Sequence, residues 1–339
     1  MERQLSIFLE HFDRSKYNVT LALVRDKIEY EIPKDIEVIQ LNKKGKIDLK
    51  FYWKLFGLLK DKKWDIIQSK ISGLNEQVMF LCGLLNKKNL VVEIRNSGKR
   101  LYRNYKNMNI LIKLFHNSNS WKIITNSQKA NNELQKFIHN DIKTTTIYNA
   151  IDTDKFKKID KIKKLDTFTI GFVGRIQKVK NIELLINAIS MIKTNLILEI
   201  YGNIEDIKYY DNLIELAIEK KVKNKIKFYN ASDNIENIYN RFDLFILPSH
   251  HEGTPNVLLE AMACECICLI SKGANSDNYL DKKFVFDTDN VADLYQKINI
   301  ILSKDFEYIN NLKVANRKYI IENFSIKRML KKYGLIYED

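Results

Sequence analysis

Two glutamates with a fixed spacing, Glu252 and Glu260, are the first candidates for chemistry in this sequence. Glu252 lies in the loop that follows a predicted buried strand, Asp243–Leu247, and Glu260 lies about one and a half turns inside the next predicted helix. Carboxylates placed in this way can each accept hydrogen bonds from hydroxyl groups of one elongated ligand. The alternative interpretation is a loop charge and a solvated helix carboxylate, and it is favoured for either glutamate taken alone.

The loop between that strand and that helix is predicted to bind an anion. Thr254 is a good N-cap residue, and Pro255 suits the first helical position, where its missing N–H is not needed. A helix that starts at the carboxyl end of a strand in an α/β sheet lies where such sheets bind ligands. Its free backbone N–H groups can hold a diphosphate, so we expect no metal.

A second loop supplies cations. A predicted strand ends at Gly174, where the absence of a Cβ lets the backbone approach a ligand, and Arg175 and Lys180 follow within the same loop. Such a pair can hold a diphosphate leaving group and stabilise its developing charge. As a single motif a Gly-Arg pair after a strand is weak, because basic loop residues are usually only solvated.

Alternating strands and helices must position these loops. Short apolar runs alternate with longer amphipathic segments, which is typical of βα units and parallel sheets. In the second half the predicted strands are Thr169–Val173, Leu196–Tyr201, Ile226–Tyr229, Leu244–Leu247 and Ile267–Ser271. The fold class is therefore α/β, with two Rossmann-like, doubly wound domains that we expect to face each other across a cleft.

The length of 339 residues predicts two domains. We expect an N-terminal, acceptor-side domain over 1–150, a linker over 151–166 with alternating charge, and a nucleotide-binding domain over 167–325. A C-terminal helical tail, 326–339, is expected to pack back on the N-terminal domain. The chain opens on an amphipathic helix with no strand before it, so either the true start lies upstream or this domain lacks its first strand and glycine-rich turn; a truncated or misassigned start is favoured.

Composition points to a cytoplasmic protein. No apolar run is long enough to span a membrane, and the N-terminus lacks the features of a signal peptide. The four cysteines, Cys82, Cys264, Cys266 and Cys268, lack zinc-site spacing and are predicted to be buried free thiols. Two Asp-x-Asp matches, at 152–154 and 287–289, have no helper ligands nearby, so we expect no metal there.

Charge is concentrated in the first half. Residues 1–150 hold 27 Lys and Arg against 15 Asp and Glu, whereas residues 151–339 hold 29 against 27. A basic half indicates a polyanionic neighbour: lipid headgroups, a phosphorylated acceptor or nucleic acid. Residues 43–63 are basic and aromatic with helical spacing, which suits a helix on the inner face of the cytoplasmic membrane; an ordinary helix with a solvated lysine face is equally favoured.

Taken together, the loop motifs resemble the retaining GT-B glycosyltransferases of family 4. That family has Gly-Arg-x4-Lys-Asn after the first strand of its C-terminal domain and Glu-x7-Glu later; this chain has Gly174-Arg175…Lys180-Asn181 and Glu252…Glu260. The segment 147–156 resembles the family's domain-joining segment, with Ala150 in place of glycine. The resemblance covers roughly residues 1–325.

The resemblance implies a role for each residue of these motifs. Arg175 and Lys180 would bind the donor diphosphate, Glu252 the hydroxyls of the donor sugar, and Glu260 the ribose. The amides of the donor loop would come from Gly253, Thr254, Pro255 and Asn256, and the nucleotide pocket would be lined by Ser249, Tyr201 and Gly202. The sugar would pass with anomeric retention from a nucleotide-diphosphate sugar, most often a UDP-sugar in this family, to an acceptor hydroxyl of a polysaccharide or lipid-linked glycan. The nucleotide-sugar is a substrate, and no cofactor is expected.

One position departs from the family. Many members carry a histidine after a cleft strand of the N-terminal domain, where this chain has Arg95 and Asn96. Arginine can bind phosphate or sugar oxygens but cannot act as a base at pH 7. The two residues are therefore candidates for acceptor contacts.

Two other functions remain open from the sequence. A sugar-nucleotide epimerase or hydrolase of the same shape would need a side-chain acid and base, and only His250 and His251 lie near the donor loop. A non-catalytic nucleotide-sugar-binding protein would form no product from a labelled donor. Nucleic acid is not an expected partner, since no aromatic RNA-binding signature or zinc module occurs.

Overall fold

The computed structural model describes residues 2–25, 30–45, 48–61, 64–71, 73–95, 102–115, 121–138, 142–160 and 167–338. The chain divides into two compact units. Unit 1 consists of Met1–Ala150 with Ile326–Asp339, and unit 2 of Ile151–Ser325. The chain therefore passes from one unit to the other twice, after Ala150 and after Ser325.

Unit 1 is built from parallel strands covered by helices. Its strands are β1 (Thr20–Leu23), β2 (Glu37–Gln40), β3 (Ile67–Ser69), β4 (Leu90–Ile94), β5 (Lys122–Thr125) and β6 (Lys143–Thr146). Its helices are α1 (Glu2–His11), α2 (Leu49–Asp61), α3 (Asn75–Leu84), α4 (Tyr102–Phe115), α5 (Gln128–Gln135) and α12 (Ile326–Glu338). In the described part of this unit, β3-β4-β5-β6 form one sheet and β1-β2 a separate parallel pair.

The C-terminal helix α12 belongs to the core of unit 1. Tyr333 is buried, and its ring packs edge-on against Phe8 of α1, with 4.8 Å between the ring centroids. Lys122 Nζ of β5 donates to the carbonyl of Ile336 at 2.8 Å, and Lys332 Nζ donates to the carbonyl of Thr146 at 3.0 Å. Aromatic packing and lysine contacts to backbone thus hold the tail on this unit.

Unit 2 contains a six-stranded parallel sheet in the order β12-β11-β10-β7-β8-β9. Its strands are β7 (Phe168–Val173), β8 (Leu196–Tyr201), β9 (Ile226–Tyr229), β10 (Leu244–Leu247), β11 (Ile267–Ser271) and β12 (Val285–Phe286). Its helices are α6 (Ile182–Ser190), α7 (Ile207–Glu219), α8 (Ile235–Tyr239), α9 (Asn256–Ala263), α10 (Val291–Leu302) and α11 (Phe306–Phe324). The α/β fold class is confirmed, and β7 to β11 follow the predicted strands within one residue.

The segment expected to be a linker is described over residues 151–160. Ile151 donates its backbone N–H to the carbonyl of Phe324, and Phe156 is fully buried. Arg317 Nη1 donates to the carbonyls of Phe156 and Ala263. The described part of this segment therefore packs into unit 2; residues 161–166 lie outside the described residues.

The buried free thiols are confirmed, since all four cysteines are buried and unbridged. Burial raises the pKa of the Cys82 thiol to about 12, which keeps the thiol protonated at neutral pH. Among the described helices, none combines the length and the apolar character needed to cross a bilayer.

Candidate donor site at the switch point of unit 2

The strand order of unit 2 reverses between β7 and β10. From β7 the chain builds β8 and β9 on one side, and from β10 it builds β11 and β12 on the other. The two central strands are neighbours, with Leu244 in register with Ile170. Ligands of open parallel sheets bind outside the carboxyl ends of the strands at such a reversal. The loops after β7 and β10 carry Lys180 and Glu252, so the topology brings the two predicted motifs to one crevice.

Lys180 and Glu252 are in direct contact in this crevice. Lys180 Nζ lies 2.6 Å from Glu252 Oε1, and the two side chains are 12% and 16% exposed. Ser249 Oγ donates to the same carboxylate oxygen at 2.8 Å, and Ser249 is fully buried. The three residues therefore form one small polar cluster of a cation, a carboxylate and a hydroxyl. Lys180 and Glu252 lie 72 residues apart in the sequence.

Backbone contacts hold the two loops together at this cluster. His250 donates its backbone N–H to the carbonyl of Val179 at 2.9 Å, directly beside Lys180. A short 3-10 turn, Lys178–Lys180, ends at Asn181, whose φ of 52° is left-handed. Asn181 Nδ2 donates to the carbonyl of Thr288 at 2.9 Å, which ties this loop to the segment after β12. Such anchoring fixes the positions of the cluster before any ligand binds.

The glycines predicted to line the pocket mark a close approach of backbone. A Cβ built on Gly202 would lie 1.9 Å from the carbonyl oxygen of Gly174, so only glycine fits there. Gly174 donates its N–H to the carbonyl of Tyr201 at 2.9 Å, which continues the pairing of β7 with β8. A Cβ on Gly174 would lie 3.8 Å from Lys180 Cε, so this glycine borders the polar cluster.

Arg175 has a different partner from Lys180. Its Nη1 lies 3.1 Å from both carboxylate oxygens of Glu205, on the loop after β8. Arg175 is 62% exposed, whereas Lys180 is mostly buried. The structure therefore places both cations at the switch point but engages them with different carboxylates.

The helix after the donor loop starts one residue later than predicted. Helix α9 begins at Asn256, its cap residue is Pro255, and no side chain caps it. The prediction of Thr254 as N-cap was wrong, because Asn256 donates its N–H to the carbonyl of Thr254 in a turn that precedes the helix. Nothing lies within 4 Å of a Cβ built on Gly253, so this part of the loop faces open space.

Glu260 is buried beneath the donor loop. It is 3% exposed, and its Oε2 accepts a hydrogen bond from Tyr239 Oη at 3.0 Å. Burial, and to a smaller extent the nearby charge of Glu260, raises the pKa of Tyr239 well above its ordinary value. The phenol therefore keeps its proton and remains a hydrogen-bond donor. Sequence reasoning missed Tyr239, and an isolated tyrosine in a short helix gave no signal for it.

A second buried carboxylate, Glu199, was also missed. It is fully buried on β8 and accepts from Arg241 Nη2 at 2.9 Å and from Tyr201 Oη at 3.1 Å. Tyr201 in turn stacks on Tyr229, with 4.6 Å between the ring centroids. The one available signal was a glutamate within the apolar run of β8, Leu196–Tyr201.

Arg95, the candidate for acceptor contacts, belongs to a buried charge cluster in unit 1. Arg95 Nη2 lies 2.5 Å from Glu93 Oε1, and Lys70 Nζ lies 2.6 Å from Glu93 Oε2. Burial raises the pKa of Glu93, but the charges of Lys70 and Arg95 outweigh it and hold that pKa below its ordinary value. Arg95 also donates to Asn149 Oδ1 at 3.2 Å. The neighbouring candidate, Asn96, lies outside the described residues.

No group of three or more metal-ligating side chains gathers anywhere in the described ranges. Asp152, in the first Asp-x-Asp match, accepts hydrogen bonds from the backbone N–H groups of Asp154 and Lys155. Asp289, in the second, lies 3.4 Å from His250 Nδ1.

Comparison with protein families shows two adjoining matches. Residues 1–155 match the profile of "Glycosyltransferase Family 4", and residues 153–319 match that of "Glycosyl transferases group 1". An N-acetylgalactosamine-N,N'-diacetylbacillosaminyl-diphospho-undecaprenol 4-alpha-N-acetylgalactosaminyltransferase of Campylobacter jejuni is 30% identical, over 86% of this chain and 83% of that protein.

Solved structures share the fold along the whole chain. A glycosyltransferase from Rickettsia africae superposes with a TM-score of 0.85 at 19% identity, over 99% of this chain and 94% of its own. The Anabaena protein HepE in complex with UDP superposes with a TM-score of 0.84 at 17% identity, over 98% and 94% of the two chains. Identities this low establish the fold alone.

Proposed function

Since this chain belongs to the group 1 glycosyltransferases and has their GT-B fold, we propose that unit 2 binds a nucleotide-diphosphate sugar at the switch point between β7 and β10. The observation that carries the proposal is the polar cluster of Lys180, Glu252 and Ser249. It joins the two loops at the place in a parallel sheet where ligands bind. A UDP-sugar is the proposed donor, and the complex of HepE with UDP supports that choice.

The donor diphosphate is assigned to Lys180, Arg175 and the backbone N–H groups of Gly253 and Thr254, since Pro255 has no N–H and Asn256 donates its own to the carbonyl of Thr254. Lys180 is mostly buried, so its charge acts in a medium of lower dielectric than water. Arg175 is exposed and must turn from Glu205 towards the ligand. Positive charge fixed beside the bond that breaks stabilises the diphosphate as it leaves, which lowers the barrier without a metal ion.

The sugar and the nucleoside are assigned to neighbouring groups. Glu252 accepts hydrogen bonds from sugar hydroxyls, and Glu260 accepts from the ribose. Gly174, Tyr201 and Gly202 line the nucleotide pocket, where a Cβ on Gly202 would meet the carbonyl oxygen of Gly174.

Transfer proceeds with retention at the anomeric carbon. The bond from C1 of the sugar to the diphosphate oxygen breaks, and the acceptor oxygen bonds to C1 on the same face. The acceptor proton passes to a phosphate oxygen of the donor, so the step needs no side-chain base. The protein contributes positioning and charge stabilisation.

The acceptor is a hydroxyl of a lipid-linked glycan in cell-surface polysaccharide synthesis. The C. jejuni relative is named for a diphospho-undecaprenol substrate, which supports this class. Arg95 and Asn96 are proposed to contact the acceptor. The enzyme would work in the cytoplasm, on the inner face of the membrane, with residues 43–63 towards anionic lipid.

A thermal-shift titration with UDP, GDP and ADP tests the donor site. A nucleotide that binds only the folded state raises the melting temperature. We expect UDP to raise it without added metal, and Lys180→Met to abolish the effect. Lys178→Met is the matched control, because this exposed lysine of the same turn has no place in the cluster. A UDP effect that survives in Lys180→Met would contradict the assignment.

A further inference from the structure

Unit 1 exposes large apolar side chains on three neighbouring helices. Six of them, on α2, α3 and α4, are between 45% and 74% exposed: Leu49, Trp53, Phe80, Leu84, Ile110 and Leu114. Single exposed apolar residues are ordinary, but a group on adjacent helices marks an interaction surface.

These side chains share one surface because the three helices bury their opposite sides in one core. That core takes Phe51, Leu55 and Leu59 from α2, Met79 and Cys82 from α3, and Met108 and Ile112 from α4. The sides that point away from it form the outer face of α2, α3 and α4. Phe80 of α3 lies against Phe115 of α4, with 6.3 Å between the ring centroids, so the apolar groups of these two helices are continuous.

The same face is basic. Five of its lysines are exposed: Lys50, Lys54, Lys60, Lys106 and Lys113. Among the side chains described on these three helices, the one acidic group is Glu76, which is half-buried. Apolar groups between lysines fit a bilayer with anionic headgroups, since the lysines lie at the phosphates while the apolar groups enter the interface.

We infer that the outer face of α2, α3 and α4 is a docking surface for an anionic lipid bilayer. Trp53, Leu84 and Leu114 lie at the headgroup level, and the five lysines lie around them. A second copy of the chain fits this face less well, because a symmetric contact would bring two sets of lysines together. The inference rests on the proposed membrane association and deepens it, since α3 and α4 lie outside the basic segment 43–63.

Vesicle sedimentation tests the inference on the full chain. Binding to vesicles of phosphatidylcholine alone is compared with binding to vesicles that also contain phosphatidylglycerol. The proteins tested are wild type, Leu84→Gln/Leu114→Gln and Trp53→Gln. Ile207→Gln/Ile218→Gln is the matched control, because these two isoleucines of α7 are similarly exposed in unit 2. The melting temperature and the UDP-induced shift of every variant show whether the fold and the donor site are intact.

We expect wild type to bind only the anionic vesicles. Leu84→Gln/Leu114→Gln should weaken binding about tenfold, because each leucine loses part of its burial in lipid. Replacement of Lys106 and Lys113 by glutamine should weaken it about fivefold per lysine. The control variant should bind like wild type.

Three outcomes would overturn the inference. If Leu84→Gln/Leu114→Gln bound anionic vesicles like wild type while Trp53→Gln bound them more weakly, only the segment 43–63 would remain as the membrane contact. Equal binding to neutral vesicles would remove the role of the lysines. A dimeric wild type made monomeric by Leu84→Gln/Leu114→Gln would assign the face to self-association. If UDP still raised the melting temperature in any of these cases, the proposal of the donor site would stand.

Discussion

Replacement of Glu252 by glutamine should tighten the binding of UDP while weakening the recognition of the sugar. In the site Glu252 neutralises Lys180 at 2.6 Å, and both side chains are mostly buried. A diphosphate that binds to Lys180 must therefore compete with this carboxylate. Glutamine keeps the shape and removes the competing charge.

The contact distance sets the scale of the effect. Two like charges about 4 Å apart repel by about 4 kcal/mol at an effective dielectric constant of about 20, which is an upper bound for Glu252 against a phosphate. Relaxation and partial exposure reduce that value, and we expect about 1.4 kcal/mol, or about tenfold tighter UDP binding. Loss of the charged hydrogen-bond acceptor reduces the binding free energy of a UDP-sugar by about 1.5–3 kcal/mol, which offsets the gain from the removed repulsion. The preference for UDP-sugar over UDP should thus fall at least about tenfold.

Isothermal titration calorimetry with UDP and UDP-sugars measures both affinities. Glu205→Gln is the matched control, because it removes the carboxylate beside Arg175, where both side chains are exposed. Exposed pairs contribute about 0–1 kcal/mol, so UDP affinity there should change by less than about fivefold. The reasoning would be refuted if Glu252→Gln bound UDP no more tightly than wild type.

Three further variants probe contacts within unit 1 and, separately, contacts around the donor site within unit 2. Glu93→Gln leaves Lys70 and Arg95 without their buried carboxylate and should lower the free energy of unfolding by about 3 kcal/mol in urea titrations at pH 7. Because the pKa of Glu93 lies below its ordinary 4.5, its stabilisation is full above that value and disappears as pH falls through the folded-state pKa, so wild type and variant should converge in acid. Gly202→Ala places a Cβ against the Gly174 carbonyl and should destabilise unit 2 by about 3 kcal/mol in thermal unfolding. Tyr239→Phe removes a donor from buried Glu260 and should cost about 1–2 kcal/mol of stability in the same assay, with weaker UDP binding.

Glu93→Gln and Gly202→Ala each have a control and an outcome that would contradict the prediction. Glu219→Gln changes an exposed pair with Lys220 and should leave acid stability unchanged. Gly334→Ala adds a methyl group where nothing lies within 4 Å and should not destabilise unit 1. A stability difference between wild type and Glu93→Gln that persists in acid would contradict the buried ion cluster, and an unchanged melting temperature of Gly202→Ala would contradict the close backbone approach.

The sequence predicted the strands of unit 2 well because each is a buried apolar run bounded by polar residues. Strand β12, Val285–Phe286, was missed because two residues carry no periodic pattern. The start of α9 was misplaced by one residue, since the turn between Thr254 and Asn256 depends on backbone contacts that residue preferences do not encode.

The contacts within the site were not predictable from spacing. The motifs indicated that Lys180 and Glu252 lie at one end of a sheet, but their direct pairing follows from the neighbouring positions of β7 and β10. The hydrogen bond between Tyr239 and Glu260 likewise joins two helices whose packing is tertiary. The family prediction is confirmed by the matches of both halves of the chain, whereas the roles of the individual residues stay predictions.

The most direct test of the central claim is transfer of a labelled sugar by the full chain. The enzyme is incubated with labelled UDP-sugars and a glycan linked through diphosphate to a polyprenol, without added metal, and the product linkage is read by NMR. We predict a labelled lipid-linked product with the anomeric configuration of the donor, abolished by Lys180→Met and preserved in Lys178→Met. Free sugar released without acceptor, or equal transfer by Lys180→Met, would contradict a transferase whose donor site lies at the switch point of unit 2.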